Sequence, residues 1–341
     1  MLKKLLNNII LTVKEEYKFI IFMILLLCIL NYPLNYYIVM GGGISDASSR
    51  ISVEDKNNSK GSFNISYVSQ LDANILFYGL SYVIPTWERE DVNLYKYTEE
   101  ENLDDVQFRS DLDLKTANGT ATYWAYTMAK KKIEETSSKL YVIVTYPDEY
   151  PTELNVGDEI ISIDGNEYKT ITDYVEYIQT KEVDDKVEIV LKRDKKEKTI
   201  STAVYELKDK KILGIGLQYV KTYDTDPKVD IKFNRNESGP SGGLITTLEI
   251  YNQLTKKDLT KGYTIAGTGT IEEDGTIGQI GGIEHKILGA VSANADIFLS
   301  PGGDNYKAAK KYIKDKNLKI KLIKVETIED AIEKLEGLDW E

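Results

Sequence analysis

The chain has 341 residues, 42% hydrophobic and 29% charged, with a formal net charge of −12. That is the composition of an ordinary folded protein of about two or three domains, and the negative balance argues against a nucleic-acid partner. One cysteine, Cys28, and one histidine, His285, exclude a disulfide within the chain and a Cys/His zinc cluster, and no G-x-x-x-x-G-K-[ST] phosphate loop occurs, so no metal, cofactor or nucleotide is expected.

Phe19 to Leu30 is an unbroken apolar run, FIIFMILLLCIL, and apolar residues continue through Met40 with interruptions at Asn31, Pro33 and Asn35. The span 19–40 has about the length that crosses a bilayer, and Tyr32, Tyr36 and Tyr37 suit a membrane interface. Lys3, Lys4, Lys14 and Lys18 precede it, and no basic residue follows before Arg50. The positive-inside rule then predicts a cytoplasmic N-terminus over 1–18, a single-pass cell-membrane anchor over 19–40, and extracytoplasmic domains beyond. The competing reading is a signal peptide cut near Gly41-Gly42-Gly43. The long polar N-terminal region favours the uncleaved anchor.

Residues 41–124 form a juxtamembrane segment. Its start, 45–60, reads as a polar linker, and Phe63 to Leu80 is β-rich, with alternation at Phe63, Ile65 and Tyr67. Trp87 to Asp113 is acidic and poorly periodic, and Thr122 to Glu135 reads as a helix carrying Trp124, Met128 and Ile133.

From Lys139 the pattern turns to strands. Leu140 to Thr145 is apolar, Val156-Gly157-Asp158 is a turn, Ile160 to Ile163 a strand and Asp164-Gly165 a hairpin turn. A helix capped by Thr172 follows, with Tyr174, Val175 and Ile178 on one face, and Val187 to Leu191 and Thr199 to Val204 are strands. L-x-x-G-D-x-I-x-x-I-D-G, a helix, then V-x-I-x-L-K-R resembles a PDZ domain of the bacterial protease type, over residues 125–207. The resemblance implies a mainly β module that takes an extended peptide as an added strand, here at the edge Leu140 to Thr145 beside the helix Thr172 to Gln179. Tyr146-Pro147-Asp148-Glu149-Tyr150-Pro151 replaces the family's usual small residues before the G-D turn. The alternative is a purely structural spacer.

Beyond, Leu213 to Val220 and Val229 to Phe233 read as strands leading into Asn236-Glu237-Ser238-Gly239-Pro240-Ser241-Gly242-Gly243-Leu244. Leu244, Ile245, Leu248, Tyr251 and Leu254 recur at helical spacing, so Ser241 lies near a helix start, where free N–H groups converge. Ser241 is then either a helix cap or a nucleophile beside an oxyanion site built around Gly239, Pro240 and Gly242. Gly262 to Thr270 is a strand, Ile271 to Ile277 a hairpin, Ile280 to Leu288 the start of a helix, and strand and helix alternate to Leu335. Lys286 borders the apolar stripe Ile283, Ile287, Leu288 and Val291, where partial desolvation lowers a lysine's pKa and makes it a base. The bland alternative is a solvated helix lysine. His285 points about 100° away from Lys286, which suits the surface or a helix start.

G-P-S-G-G followed by A-G-T-G-x-I-x-x-D-G-x-I-x-x-I-G-G-I-x-x-K resembles the proteolytic domain of Lon peptidases, family S16, over residues 208–341. The resemblance implies an α+β (α/β-like) domain in which Ser241 is the nucleophile, Lys286 the general base and Thr268 the threonine that hydrogen-bonds near the lysine. Ser238 and Gly242 stand where that family usually has aspartate and alanine, and His285 where it has an acidic or polar residue. Anchor, PDZ-like module and Lon-like domain together resemble the membrane-anchored, ATP-independent PDZ–Lon-like peptidases of Gram-positive bacteria. That resemblance implies a serine endopeptidase acting on extracytoplasmic peptides or proteins, a hexameric homo-oligomer, and a PDZ inserted into the peptidase domain, with Phe63 to Val68 belonging to the latter. The rival reading is a non-enzymatic, membrane-tethered peptide-binding adaptor with a Lon-like fold.

Overall fold

The computed structural model describes residues 2–54, 56–168, 170–232 and 237–338. Helix α1 (Leu2–Leu30) stops just before Asn31-Tyr32-Pro33. Proline fixes its own φ, lacks an N–H and biases the residue before it away from helix. The chain then enters strand β1 (Pro33–Asp46). The expected span 19–40 is thereby corrected. Its apolar helix ends at Leu30, Pro33 to Met40 are strand, and among the described residues no helix is long and apolar enough to cross a membrane. Tyr36 and Tyr37 pack against Tyr78 and Tyr95, with ring centroids 5.0 and 5.3 Å apart.

The stretch 45–60 is more than a linker. The Asp46 side chain accepts from the Ser48 N–H to cap a short turn, and strand β2 (Ile51–Val53) buries Ile51 and Val53. Strand β3 (Ser62–Asn74) gives way to helix α2 (Ile75–Leu80), because the Asn74 side chain accepts the Phe77 N–H at 2.8 Å. Strand β4 (Glu88–Asp91) pairs antiparallel with β1 at Tyr36 to Val39. Helix α3 (Leu103–Ala129) begins well before the expected Thr122. Asn102 and Asp105 exchange side-chain-to-backbone bonds at its start, a capping box, and Lys130 closes it in the left-handed conformation. Ile133, expected on this helix, lies in strand β5 (Lys132–Thr145).

The chain divides into two compact units, Met1–Gly41 with Val68–Tyr95, and Gly42–Tyr67 with Lys96–Glu341. The first holds α1, α2, β4 and the adjoining parts of β1 and β3. The second contains a five-stranded antiparallel sheet, a set of parallel strands and three two-stranded antiparallel pairs.

The antiparallel sheet adds to β5 the strands β6 (Glu159–Ile163), β7 (Lys186–Arg193) and β8 (Lys196–Ala203). Helix α4 (Ile171–Gln179) intervenes, capped by Thr170 rather than Thr172 through a reciprocal bond with Asp173. The short pair β9 (Tyr205–Leu207) and β10 (Lys210–Ile212) leads into β11 (Ile215–Asp226). The order is β11-β5-β6-β7-β8. Alternation buries Val187, Ile189 and Leu191 against Leu140, Val142, Ile163 and Ile178. Asp158 of the G-D turn is buried and takes two bonds from Arg193, both 2.7 Å, which ties the turn to the end of β7. β5 is an inner strand, held by β11 on one side and β6 on the other. Leu140 to Thr145 is therefore not the free edge expected for peptide addition; the outer strands are β11 and β8.

Strand β12 (Val229–Ile231) pairs with β2. Phe233, the expected end of that strand, and Asn236 lie outside the described residues. Then follow helix α5 (Gly243–Leu254), β13 (Thr264–Gly267), the hairpin β14 (Thr270–Ile271) and β15 (Ile277–Gly278), and helix α6 (Ile283–Ser292). The chain finishes with β16 (Ile297–Pro301), α7 (Gly303–Asp315), β17 (Lys321–Val325) and α8 (Ile328–Glu336). Ile265 of β13 pairs in parallel with Phe63 of β3 and Ile297 of β16, and β16 pairs in parallel with β17. A strand from before the antiparallel sheet thus lies beside strands from after it. α5 is the centre of this half, with every residue from Gly243 to Gln253 buried. Ala121, Ala125 and Tyr126 of α3, Phe63, Ile265 and the apolar face of α8 join it in one core.

Candidate active site

Ser241 sits in the turn that feeds α5. Its carbonyl accepts from the Gly269 N–H at 2.8 Å and the Thr268 hydroxyl at 3.1 Å, while the Leu244 N–H donates to the Gly269 carbonyl at 3.1 Å. The link between β13 and β14 therefore grips the serine by its main chain. Gly243 is required by close approach: a Cβ there would lie 2.7 Å from Ile271 Cγ2 and 2.9 Å from the Ile271 nitrogen.

Lys286 comes from the first turn of α6, whose N-cap Gly282 adopts φ 66°, a left-handed conformation that favours glycine. Just ahead, the Asn305 side chain holds Ile280 twice, accepting its N–H at 2.8 Å and donating to its carbonyl at 2.9 Å. Gln279 completes the bracket, donating to the Gly302 carbonyl at 2.8 Å and accepting the Asn305 N–H at 2.9 Å. These bonds fix where α6 departs, and so where Lys286 arrives.

Lys286 is only 4% exposed, deeper than a position bordering the apolar stripe suggests. Its Nζ lies 2.9 Å from Ser241 Oγ and 3.0 Å from Thr268 Oγ1. Burial lowers its pKa from 10.5 to about 8, since the ammonium loses hydration and its two partners are neutral hydroxyls. A neutral amine keeps N–H donors and one lone pair, so it can donate to Thr268 and accept the proton of Ser241. Thr268, fully buried, donates its own hydroxyl hydrogen bond to the Ser241 carbonyl. The fold thus gathers Ser241, Lys286 and Thr268 into one hydrogen-bonded cluster.

The expected oxyanion positions separate. Pro240 has no N–H to give, and the Gly239 N–H is taken by the Ser110 carbonyl of α3 at 2.9 Å. Both are corrected as donors. Among the described residues the N–H groups of Ser241 and Gly242 carry no hydrogen bond. The Ser110 contact had no sequence signal, because a main-chain carbonyl has no residue signature. Asn305 and Gln279 were also unread; their roles depend on two distant turns meeting. His285 lies in the first turn of α6 but is buried rather than at the surface.

Glu249 is a further buried group, on α5. Burial pushes its carboxyl up to about 7, opposed by a 2.6 Å bond from Gln253. Gln253 in turn accepts the Val53 N–H and donates to the Ile51 carbonyl, pinning β2 to α5.

The PDZ domain family matches residues 132–204, and the Lon protease (S16) C-terminal proteolytic domain family matches residues 231–336. Among solved structures, the PDZ domain of an SdrC-like protein from Listeria monocytogenes is 31% identical, covering 25% of this chain and 92% of that one, with a TM-score of 0.23. The PDZ domain of an SdrC-like protein from Listeria innocua is 29% identical over 23% of this chain and 92% of that one, TM-score 0.22. The second domain of the Listeria innocua protein is 27% identical over 26% and 86%, TM-score 0.20. No curated protein matches the chain. With both matched regions accounted for in the fold, the chain carries a PDZ domain and a Lon-type (S16) serine-peptidase proteolytic domain.

Proposed function

We propose that this protein is an ATP-independent serine endopeptidase with a Ser241–Lys286 dyad, held at the cell membrane with its working domains outside the cytoplasm. The observation that carries the dyad is the 2.9 Å contact between a buried, pKa-lowered lysine and the serine hydroxyl. Neutral Lys286 takes the Ser241 proton as Oγ attacks a peptide carbonyl. The N–H groups of Ser241 and Gly242 meet the oxyanion, and Thr268 holds the amine in line. Protonated Lys286 then gives its proton to the leaving amine, and water, activated by the same lysine, hydrolyses the acyl-enzyme.

In this reading the PDZ is inserted in the peptidase domain and presents substrate along the outer edge of β11 rather than along β5. Near that edge the Tyr219 hydroxyl donates to the Tyr168 carbonyl, and Tyr168 packs on Tyr177 of α4, so Tyr168 links strand and helix beside the edge where a peptide would add. Independence from ATP rests on the missing phosphate loop. Membrane attachment rests on the lysines ahead of the first apolar run and on exposed Phe19, Phe22, Ile24, Leu25, Leu27 and Ile29 along α1. At 1.5 Å per residue Phe19–Leu30 covers roughly 18 Å of a roughly 30 Å hydrocarbon core.

The test is incubation of the protein with candidate peptides beside Ser241→Ala and Lys286→Ala. Cleavage by the parent alone is expected; equal cleavage by either variant refutes the dyad. Binding of peptides without cleavage by any of the three favours the adaptor. For topology, protease added to intact cells should digest the C-terminal domains, and full protection refutes an extracytoplasmic site.

A further inference from the structure

A cavity of about 330 Å³ opens between α3, β5, β11 and the turn joining β14 to β15. It lies outside the dyad, and its walls are unusual in composition. Three tyrosine rings line it, Tyr123 from α3 and Tyr219 and Tyr223 from β11, together with the carboxylates of Glu135 and Glu273. One cation, Lys221, shares the lining and lies 3.1 Å from Glu273.

The charges converge on one spot. The Tyr223 phenol is pushed up to about 12, by burial first and then by Glu135 and Glu273, so both carboxylates act on the same hydroxyl from different elements. The Lys221–Glu273 pair is loose. Glu273 is 82% exposed and Lys221 35%, and exposed pairs of this kind contribute little and exchange readily. An incoming cation can therefore take Glu273 from Lys221 while Glu135 stays available. Aromatic faces add to the attraction, since ring quadrupoles favour a cation, guanidinium above all. The volume suits a single long side chain.

The position relates this cavity to the serine. Glu273 stands two residues beyond Ile271, which packs against Gly243 of the serine turn. On the other side, α3 lines the cavity from Thr116 to Tyr123, and the same helix holds Gly239 through Ser110. At 1.5 Å per residue, that stretch lies roughly 9 to 20 Å along the helix from Ser110. An extended peptide rises about 3.3 Å per residue, so a separation of that order would be bridged by several residues of a substrate. Tyr219 is also the residue whose hydroxyl donates to the Tyr168 carbonyl, and Tyr168 packs on Tyr177 of α4.

We infer that this cavity is a specificity subsite for a basic side chain, arginine or lysine, of the peptide substrate, read several residues from the scissile bond. The inference rests on the peptidase reading, but it concerns binding and is tested without turnover. The full chain carrying Ser241→Ala is immobilised and offered a random decapeptide library, and retained peptides are sequenced by mass spectrometry. The same selection is run on Ser241→Ala with Glu135→Gln and Glu273→Gln added, and circular dichroism and urea unfolding check that the fold is kept. Arginine or lysine should be enriched about five- to tenfold at one position of the retained peptides, and the two glutamines should remove that enrichment while peptides are still retained. Absence of basic enrichment at any position, enrichment of acidic residues instead, or equal enrichment with the glutamines present overturns the subsite. Failure of the Ser241-intact chain to cut the selected peptides counts against the peptidase reading and leaves the selection result standing.

Discussion

If Lys286 is the base, the rate of acylation should follow the titration of that one amine. The perturbation is pH. With a pKa of about 8, roughly one lysine in ten is neutral at pH 7; at the ordinary value of 10.5 it would be about one in three thousand. Burial thus enlarges the reactive fraction roughly three-hundredfold at neutral pH. The same burial has a cost: lowering the pKa from 10.5 to about 8 corresponds to roughly 3 kcal/mol, borne by the native state wherever the lysine is protonated. The assay is kcat/KM for a cleavable peptide between about pH 6 and pH 10, which reports the free enzyme's essential groups. A single rising limb centred near 8 is expected, with the pH 7 rate about a tenth of the plateau. A limb near 10.5, or a flat profile between about pH 7 and 9, refutes the argument that burial among neutral hydroxyls makes this lysine a base.

Lys286→Met should abolish cleavage yet stabilise the fold at pH 7 by roughly 1–3 kcal/mol, because a buried ammonium is removed. The sign follows from the lowered pKa: the lysine's penalty is full below about 8 and fades as pH rises toward 10.5, so urea unfolding at pH 10 should show a smaller advantage than at pH 7. An equal advantage at both would place the effect in packing. Thr268→Val keeps the shape but deletes the hydroxyl between Lys286 and the Ser241 carbonyl; kcat should fall roughly 10- to 100-fold with KM little changed, and an unchanged kcat would remove Thr268 from the machinery. Gly243→Ala forces a methyl against Ile271 and should cost roughly 1–3 kcal/mol in urea unfolding; native stability in that variant would contradict the close approach.

Part of the chemistry was legible because it rests on local pattern. Local pattern marked Ser241 near a helix start and Lys286 beside an apolar stripe; their roles, and Thr268, came from the resemblance to Lon proteolytic domains. The capping box at Asn102 and Asp105 was present too, and reading it would have started α3 in the right place. Hydropathy extends further than the helix does. Apolar residues run on to Met40 past Asn31, Pro33 and Asn35, and the proline favours the strand that the structure contains.

Local sequence, by itself, determined most of the turns and apolar faces, and placed Ser241 at a helix start, because caps, glycines and periodicity act over a few residues. Tertiary structure alone decided the rest. It paired β3 with β13 across the whole antiparallel sheet, turned β5 into an inner strand, assigned the Gly239 N–H to Ser110, and buried Lys286 against two hydroxyls. Each depends on groups far apart in the chain, and a lysine's pKa is set by what surrounds it in space.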